Sequence, residues 1–300
     1  MLVGCRRGAG PEQAGPRLWG RANRQRVHGH PSTRARLRAL GVRPNKRLSQ
    51  SFLDDARLAA AIVEAAEIDA TTHVLEVGPG LGALTDRLAR VARRVVAVEL
   101  DRRLAERLEA EHQHHAVTVC EADILKVDPS SFFERDFVVV ANLPYHITSP
   151  ALRHLLSAGP PFASRLVVMV QAEVAERIAA PPGQMSALAV TIQAQARVKL
   201  VRRVPAAAFY PRPEVDSAVL LLEPRSDPER AIGRAELPQF VELIRAGFKQ
   251  PRKTLANSLA EGLNAPKEQA LQRLVTADID PNARPQALAM DDWVRLFRTA

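Results

Sequence analysis

Apolar residues recur along the chain in short continuous runs, which are typical of strands buried on both faces. Seven strand-like runs lie at residues 72–78, 94–100, 117–120, 137–140, 165–170, 196–204 and 217–222, of which the run at 196–204 is interrupted by four basic residues. Segments between several of them carry apolar residues every three or four positions, a pattern that predicts amphipathic helices. Strands that alternate with helices predict a parallel sheet. The last two runs are joined by a proline-rich loop and suggest an antiparallel edge on that sheet.

The pattern changes after residue 225, where helical periodicity replaces the strand-like runs. Phe240, Leu243 and Ile244 mark one helix, and a last helix is predicted over residues 291–297. The predicted fold class is therefore α/β, with a Rossmann-like sheet over residues 45–227 and a smaller helical domain over residues 228–300.

Residues 1–44 show neither strand-like runs nor helical periodicity, and they are rich in Arg, Gly and Pro. They contain ten arginines and a single acidic residue, Glu12, so they account for the whole formal net charge of +9. A segment of this composition without an apolar pattern is predicted to be a disordered basic tail. We interpret it as an arm that touches RNA or as an over-extended start site, in preference to an organelle transit peptide.

The hydrophobic content of 46% is ordinary for a globular enzyme. No apolar run approaches the roughly eighteen residues needed to span a membrane, and the N-terminal segment lacks the apolar core of a signal peptide. A cytoplasmic protein without a membrane partner is expected.

The first two predicted strands end in residues suited to binding a ligand. The first runs into Gly78, Gly80 and Gly82, whose backbone can approach a ligand closely at a helix N-terminus. On its own this spacing also fits a tight strand-to-helix turn. Glu99 ends the second strand roughly twenty residues after Gly78, where an acid commonly holds ribose hydroxyls.

The next two strands also end in polar groups. Asp123 follows the third strand, and the fourth runs into Asn142, Pro144 and Tyr145. An amide next to a rigid proline and an aromatic ring suits a flat base that carries an amine. Each feature alone has a structural explanation, such as a helix cap or a proline turn. Four such ends in series favour one pocket at the carboxyl edge of a Rossmann-like sheet.

Seven segments, in order along the chain, resemble the small-subunit ribosomal RNA adenine dimethyltransferase family. They are R-L-S-Q-S-F-L-D-D, V-L-E-V-G-P-G-L-G-A-L-T, V-V-A-V-E-L-D, E-A-D-I-L, N-L-P-Y-H-I-T-S-P, F-Y-P-R-P-E-V-D-S-A-V and F-K-Q-P-R-K-T-L-A-N-S-L. The resemblance covers about residues 45–300. It implies a class I methyltransferase domain that uses S-adenosylmethionine to dimethylate two adjacent adenosines near the 3′ end of small-subunit RNA, coupled to ribosomal subunit maturation.

The resemblance also implies roles for individual residues. The residues implied to bind the cofactor are Ser51, Leu53, Gly78, Gly80, Glu99, Asp123 and Asn142. Glu99 would bind the ribose hydroxyls, and Asp123 would accept a hydrogen bond from the adenine amine of the cofactor. Ser51 stands where the family has an Asn that contacts the cofactor, so that contact is expected to differ here.

The stretch Asn142, Leu143, Pro144 and Tyr145 would be catalytic. An exocyclic adenine amine is a poor nucleophile because its lone pair is delocalised into the ring. Acceptance of its N–H protons by the Asn142 side chain and the Leu143 carbonyl would aim the lone pair at the methyl group. Tyr145 would stack on the base and Phe209 would close its other face. No metal or nucleophilic side chain is required.

Arg252 and Lys253 are expected to dock RNA on the helical domain, although a solvated basic helix start would look the same in sequence. The expected partner is small-subunit rRNA within an assembly intermediate, bound by a monomer. Two alternatives stay open. One is a large-subunit RNA methyltransferase of the macrolide-resistance type, against which the segments F-Y-P-R-P and Q-P-R-K-T-L argue. The other is a non-catalytic assembly or transcription factor, against which the retained stretch Asn142–Tyr145 argues.

Overall fold

A seven-stranded sheet forms the centre of the structure, a computed structural model that describes residues 32–45, 50–113 and 116–299. The described residues form nine strands, seven of which make up this sheet. They are β1 (Phe52–Leu53), β2 (His73–Val77), β3 (Arg94–Glu99), β4 (Val117–Glu121), β5 (Phe137–Asn142), β6 (Ala163–Gln171), β7 (Ala196–Val204), β8 (Phe209–Tyr210) and β9 (Ser217–Pro224). The order in the sheet is β4-β3-β2-β5-β6-β9-β7, while β1 and β8 pair separately with each other.

The five strands from β4 to β6 are parallel, and β9 runs antiparallel to both β6 and β7. The predicted α/β class and the antiparallel edge are therefore confirmed. The chain starts the sheet in β2, moves outward to β3 and β4, and then returns to the other side of β2 with β5. This reversal opens a crevice between the carboxyl ends of β2 and β5, where ligands bind in such sheets.

Eleven helices are found in the described part of the chain. They are α1 (Thr33–Ala39), α2 (Ala56–Ala65), α3 (Thr85–Val91), α4 (Arg102–Glu111), α5 (Thr148–Ser157), α6 (Ala172–Ile178), α7 (Ala187–Gln193), α8 (Leu237–Gly247), α9 (Leu255–Gly262), α10 (Lys267–Thr276) and α11 (Met290–Arg298). Side chains cap the first turns of several: Asp55 accepts from two amides of α2, and Asp101 from one of α4. None of these helices is long and apolar enough to cross a bilayer.

The prediction of disorder for residues 1–44 is wrong for the part that the structure describes. Residues 33–39 form α1, which Ser32 caps by accepting from the Ala35 amide. Leu37 and Val42 are 3% and 8% exposed. Two apolar positions are too few to give a periodic signal, but neighbouring segments bury both and hold the helix in place. The remainder of the predicted tail, residues 1–31, lies outside the described residues.

The C-terminal helices surround a second apolar core that includes Phe240 and Trp293, both fully buried. Helix α7 and the residue Met185 before it also contribute to this core, although they precede β7 in sequence. The second core therefore contains residues that precede β7 in the chain as well as residues that follow β9. The domain boundary near residue 227 stays a prediction.

Candidate functional site

The glycine loop that follows β2 has a backbone that requires glycine. Gly78 and Gly80 have φ angles of 68° and 57°, in the left-handed region that residues with a Cβ rarely adopt. A Cβ at Gly80 would lie 3.0 Å from the Phe52 ring, and one at Gly78 would lie 3.5 Å from the carbonyl oxygen of Asn142. The loop therefore brings its backbone against both β1 and the end of β5.

Glu99 ends β3 with its carboxylate 7% exposed beneath this loop. One oxygen accepts from the Gly80 amide at 3.0 Å, and the other accepts from the Asp101 amide at 2.9 Å. Burial raises the pKa of Glu99, and the two amides act against that rise by stabilising the charged form. A carboxylate has about four acceptor sites, so further donors such as hydroxyl groups can still be accommodated.

Asp123 follows β4 and lies on the same side of the cavity. One of its oxygens accepts from the Leu125 amide at 3.0 Å, while the other is 3.8 Å from the Lys126 ammonium. The same cavity is lined by Leu100, which is 52% exposed although it is large and apolar. An exposed apolar side chain and a carboxylate in the wall of one cavity suit a planar ring with a polar edge.

Asn142 occupies the end of β5, across the crevice from the glycine loop. Its side-chain nitrogen donates to the Ser51 carbonyl at 3.2 Å, which leaves the amide oxygen as the acceptor of the group. The bond to residue 51 is made through its backbone, so it does not depend on whether that residue is Ser or Asn. The Leu143 amide donates to the Met169 carbonyl at 3.1 Å, which fixes the start of the predicted catalytic stretch against β6.

Tyr145 begins a short 3₁₀ turn after Pro144, and its hydroxyl lies 2.8 Å from the hydroxyl of Ser217. Ser217 is fully buried at the start of β9. Burial raises the pKa of Tyr145, and its phenol is therefore neutral near pH 7. The ring is held by its far end, an arrangement that sequence reasoning missed because the two residues are 72 positions apart.

One cavity brings most of the predicted site residues together. Those that line it are Ser51, Leu53, Gly78, Gly80, Glu99, Asp123, Asn142, Leu143, Pro144 and Tyr145. Phe209 is not among the lining residues. It is 4% exposed, pairs with Leu53 between β1 and β8, and packs in the apolar core. In this structure it supports the strand that carries the cavity wall and does not present a face to a base.

Arg252 and Lys253 lie in the turn between α8 and α9, away from the cavity. Both are exposed. The Lys253 ammonium is 3.9 Å from the Glu261 carboxylate, while Arg252 forms no ion pair with any residue that the structure describes. The turn is therefore at least partly free to attract an anion.

Glu76 is a lining residue that sequence reasoning missed. It lies in the interior of β2, is 1% exposed, and burial raises its pKa to about 8. Neither oxygen makes a hydrogen bond of ordinary geometry with the described residues, although the hydroxyl and amide of Thr85 lie near enough to act against the rise in pKa. A buried acid that is so weakly bonded beside a cavity is suited to a ligand that brings a donor or a positive charge. The sequence signal was present as an acid within an otherwise apolar run.

Comparison with known proteins places the chain among RNA methyltransferases. Residues 41–300 match the family model described as ribosomal RNA adenine dimethylase. A protein of Bacillus pumilus named ribosomal RNA small subunit methyltransferase A is 39% identical over 279 residues, covering 88% of this chain and 94% of the relative. A protein of the same name from Desulfitobacterium hafniense is 42% identical over 256 residues, covering 84% and 91%.

Two solved structures have a similar fold over most of the chain. A dimethyladenosine transferase from Plasmodium falciparum gives a TM-score of 0.67 at 26% identity, covering 82% of this chain and 95% of its own. The 23S rRNA methyltransferase ErmE gives a TM-score of 0.65 at 30% identity, covering 83% and 98%.

The raised pKa of Glu76 predicts a specific dependence of stability on pH. Between about pH 5 and pH 8 the folded protein keeps a proton on Glu76 that the unfolded chain releases. The free energy of unfolding should therefore fall as pH rises through this window, by up to about 1.4 kcal/mol per pH unit from this group. Glu76→Gln should remove that component. Denaturant unfolding of both proteins at several pH values checks this, and parallel pH profiles would contradict it.

Proposed function

The chain belongs to the ribosomal RNA adenine dimethylase family, and on this basis we propose that it dimethylates two adjacent adenosines near the 3′ end of small-subunit rRNA. Family membership makes it an S-adenosylmethionine-dependent rRNA adenine dimethyltransferase. The small-subunit substrate is supported by the named relatives at 39% and 42% identity, whereas the 23S enzyme is 30% identical.

The observation that carries the residue assignments is that one cavity holds both the strand ends suited to a nucleoside and the stretch Asn142–Tyr145. The cavity fits the cofactor chemically. Gly78 and Gly80 allow the loop its left-handed backbone beside the cavity, Glu99 retains acceptor capacity, and the oxygens of Glu76 make no hydrogen bond of ordinary geometry with the described residues. When bound, S-adenosylmethionine supplies a methyl group activated by attachment to a sulfonium.

We assign Glu99 to the ribose hydroxyls and Asp123 to the adenine amine of the cofactor. Leu100, which is exposed in the cavity wall, would provide an apolar surface for that adenine. Ser51 and Leu53 form the opposite border of the cavity. Ser51 also holds the catalytic amide through its carbonyl, so its replacement of the family Asn leaves that contact intact.

The catalytic stretch acts on the target adenosine through position and electrostatics. Asn142 is oriented by its bond to Ser51, and its amide oxygen accepts an N–H of the target amine. The Leu143 carbonyl accepts the second N–H, so that the nitrogen lone pair is directed at the methyl group. Tyr145 stacks on the flipped base with its ring held by Ser217.

We place RNA docking on the turn that carries Arg252 and Lys253, and an assembly intermediate of the small subunit as the particle that docks there. The protein acts as a monomer in the cytoplasm under this proposal. Arg252 supports the docking assignment because it is exposed and has no acidic partner among the described residues.

Methyl transfer from labelled cofactor tests the proposed substrate. Unmethylated small-subunit particles should be labelled on two adjacent adenosines, while large-subunit particles should not. Labelling of large-subunit RNA would support the macrolide-resistance alternative. No labelling of either particle by a chain that binds the cofactor would support a non-catalytic factor. Including naked small-subunit RNA distinguishes the particle from the free RNA as substrate.

Glu99→Ala should weaken cofactor binding about tenfold to a hundredfold, because a charge-assisted hydrogen bond contributes roughly 1.5–3 kcal/mol. Titration calorimetry with S-adenosylhomocysteine measures this. Glu106→Ala is the matched control, since Glu106 is an exposed acid on α4 whose ion pair within the described part of the chain is with Arg102. Equal affinities for the wild type and the Glu99 variant would reject the ribose assignment.

Asn142→Ala should reduce the single-turnover rate by on the order of a hundredfold, because it removes a preorganised acceptor that acts in the transition state. Tyr145→Ala should instead raise the RNA concentration needed for half-maximal rate, since stacking contributes to base capture. Rapid-quench measurements over a range of particle concentrations separate the two effects. A near wild-type rate for the Asn142 variant would exclude its catalytic role.

Reversing both charges of the docking turn, with Arg252→Glu and Lys253→Glu, should weaken particle binding and flatten its dependence on salt, because fewer phosphate contacts release fewer counterions, without altering cofactor affinity. The double variant Lys267→Glu and Arg284→Glu changes the net charge equally at other exposed positions of the helical region. Filter binding of particles by both variants measures the difference. Equal binding by the two would favour a solvated turn over a docking site.

A further inference from the structure

Helix α1 packs against the outer side of the cavity wall. Its buried residue Leu37 forms an apolar cluster with Phe52, Leu81 and Leu104. All three of these partners also line the cavity. A single layer of side chains therefore separates α1 from a bound ligand, and movement of α1 would remove the support behind that layer.

Arg36 connects α1 to the glycine loop itself. Its guanidinium donates to the Leu81 carbonyl at 2.8 Å, and Arg107 of α4 donates to the same carbonyl at 3.3 Å. Glu111 lies 3.9 Å from the Arg36 guanidinium and is also bonded to Arg107. The loop is therefore held from inside by the bond of the Gly80 amide to Glu99 and from outside by two arginines on Leu81.

The start of α1 is fixed to a different part of the wall. Thr33 is 5% exposed and donates to the Asp54 carboxylate through both its amide and its hydroxyl. Asp54 directly follows β1, and its amide donates to the Ala208 carbonyl at 2.8 Å. Helix α1 thus bridges β1 and the glycine loop, which border the cavity on two sides.

The three arginines of α1 differ in their surroundings. Arg34 and Arg38 are exposed and have no side-chain hydrogen bond or ion pair with the described residues, whereas Arg36 is half-buried and bonded to the loop. A helix that served only to bind RNA phosphates would not need to direct one arginine inward. The inward contact indicates a role in shaping the cavity.

We propose that α1 is a positioning element for the cofactor loop, with Arg36 and Leu37 as positioning residues, and that docking of α1 and binding of the cofactor stabilise each other. This inference rests on the proposed place of the cofactor in the cavity. The linkage is reciprocal: a cofactor that needs both walls in place must also favour the state in which α1 is docked. When α1 is docked, the glycine loop is already ordered, so binding of the cofactor costs less conformational entropy.

The first test compares two arginines of the same helix in the full chain. Arg36→Ala should weaken S-adenosylhomocysteine binding about tenfold, and Arg38→Ala should leave it unchanged. RNA affinity should be the same for both variants. Unchanged cofactor affinity for Arg36→Ala, or equal weakening by both substitutions, overturns the proposal, and loss of RNA affinity by Arg36→Ala alone would instead make α1 an RNA arm.

The second test uses the unaltered protein, so it does not depend on the folding of a variant. Hydrogen exchange of the α1 amides should slow at least threefold when S-adenosylhomocysteine is added at saturation. If the ligand binds and the α1 amides exchange at the same rate, the linkage is wrong while the cofactor site stands. If the ligand binds but protects neither the glycine loop nor Asn142, the proposed placement of the cofactor fails instead.

Discussion

The bond between the Gly80 amide and the Glu99 carboxylate is the contact on which the cavity depends. It joins the ends of two neighbouring strands at 3.0 Å beneath a loop whose left-handed backbone favours glycine. Removing a carboxylate from water is unfavourable, and the amides of Gly80 and Asp101 offset that desolvation. The same bonds fix the backbone of the loop, so that the orientation of the binding acid and the shape of the cavity are set together.

The proposed catalytic stretch is held by residues that come from distant parts of the chain. Asn142 is bonded to Ser51, and Tyr145 to Ser217, across sequence separations of 91 and 72 residues. Both partners lie on or beside strands, β1 and β9, whose apolar residues belong to buried clusters. A substitution that destabilises either strand is therefore expected to displace Asn142 or Tyr145 through these two bonds and so lower activity, even though it contacts neither the cofactor nor the RNA.

The helical region is joined to the sheet by packing as well as by the chain. Helix α7 contributes Ala189 and Val190 to the core around Phe240 and Trp293. The turn at Arg252 connects α8 and α9, which both contribute residues to this core. Packing of this kind holds the proposed RNA-docking surface at a defined place relative to the sheet, which suits an enzyme that must place one nucleotide of a large RNA in a narrow cavity.

The sequence by itself determined the sheet and most of the site, because strand ends can be located from local apolar runs and a parallel sheet gathers its carboxyl ends at one edge. Gly78, Glu99, Asp123 and Asn142 followed from that rule. The tertiary structure alone decided contacts between segments far apart in sequence. Two isolated apolar residues of α1 gave no periodic signal, and Phe209 carried no mark of being buried. Their environments depend on which distant surfaces meet them, and no local pattern encodes that.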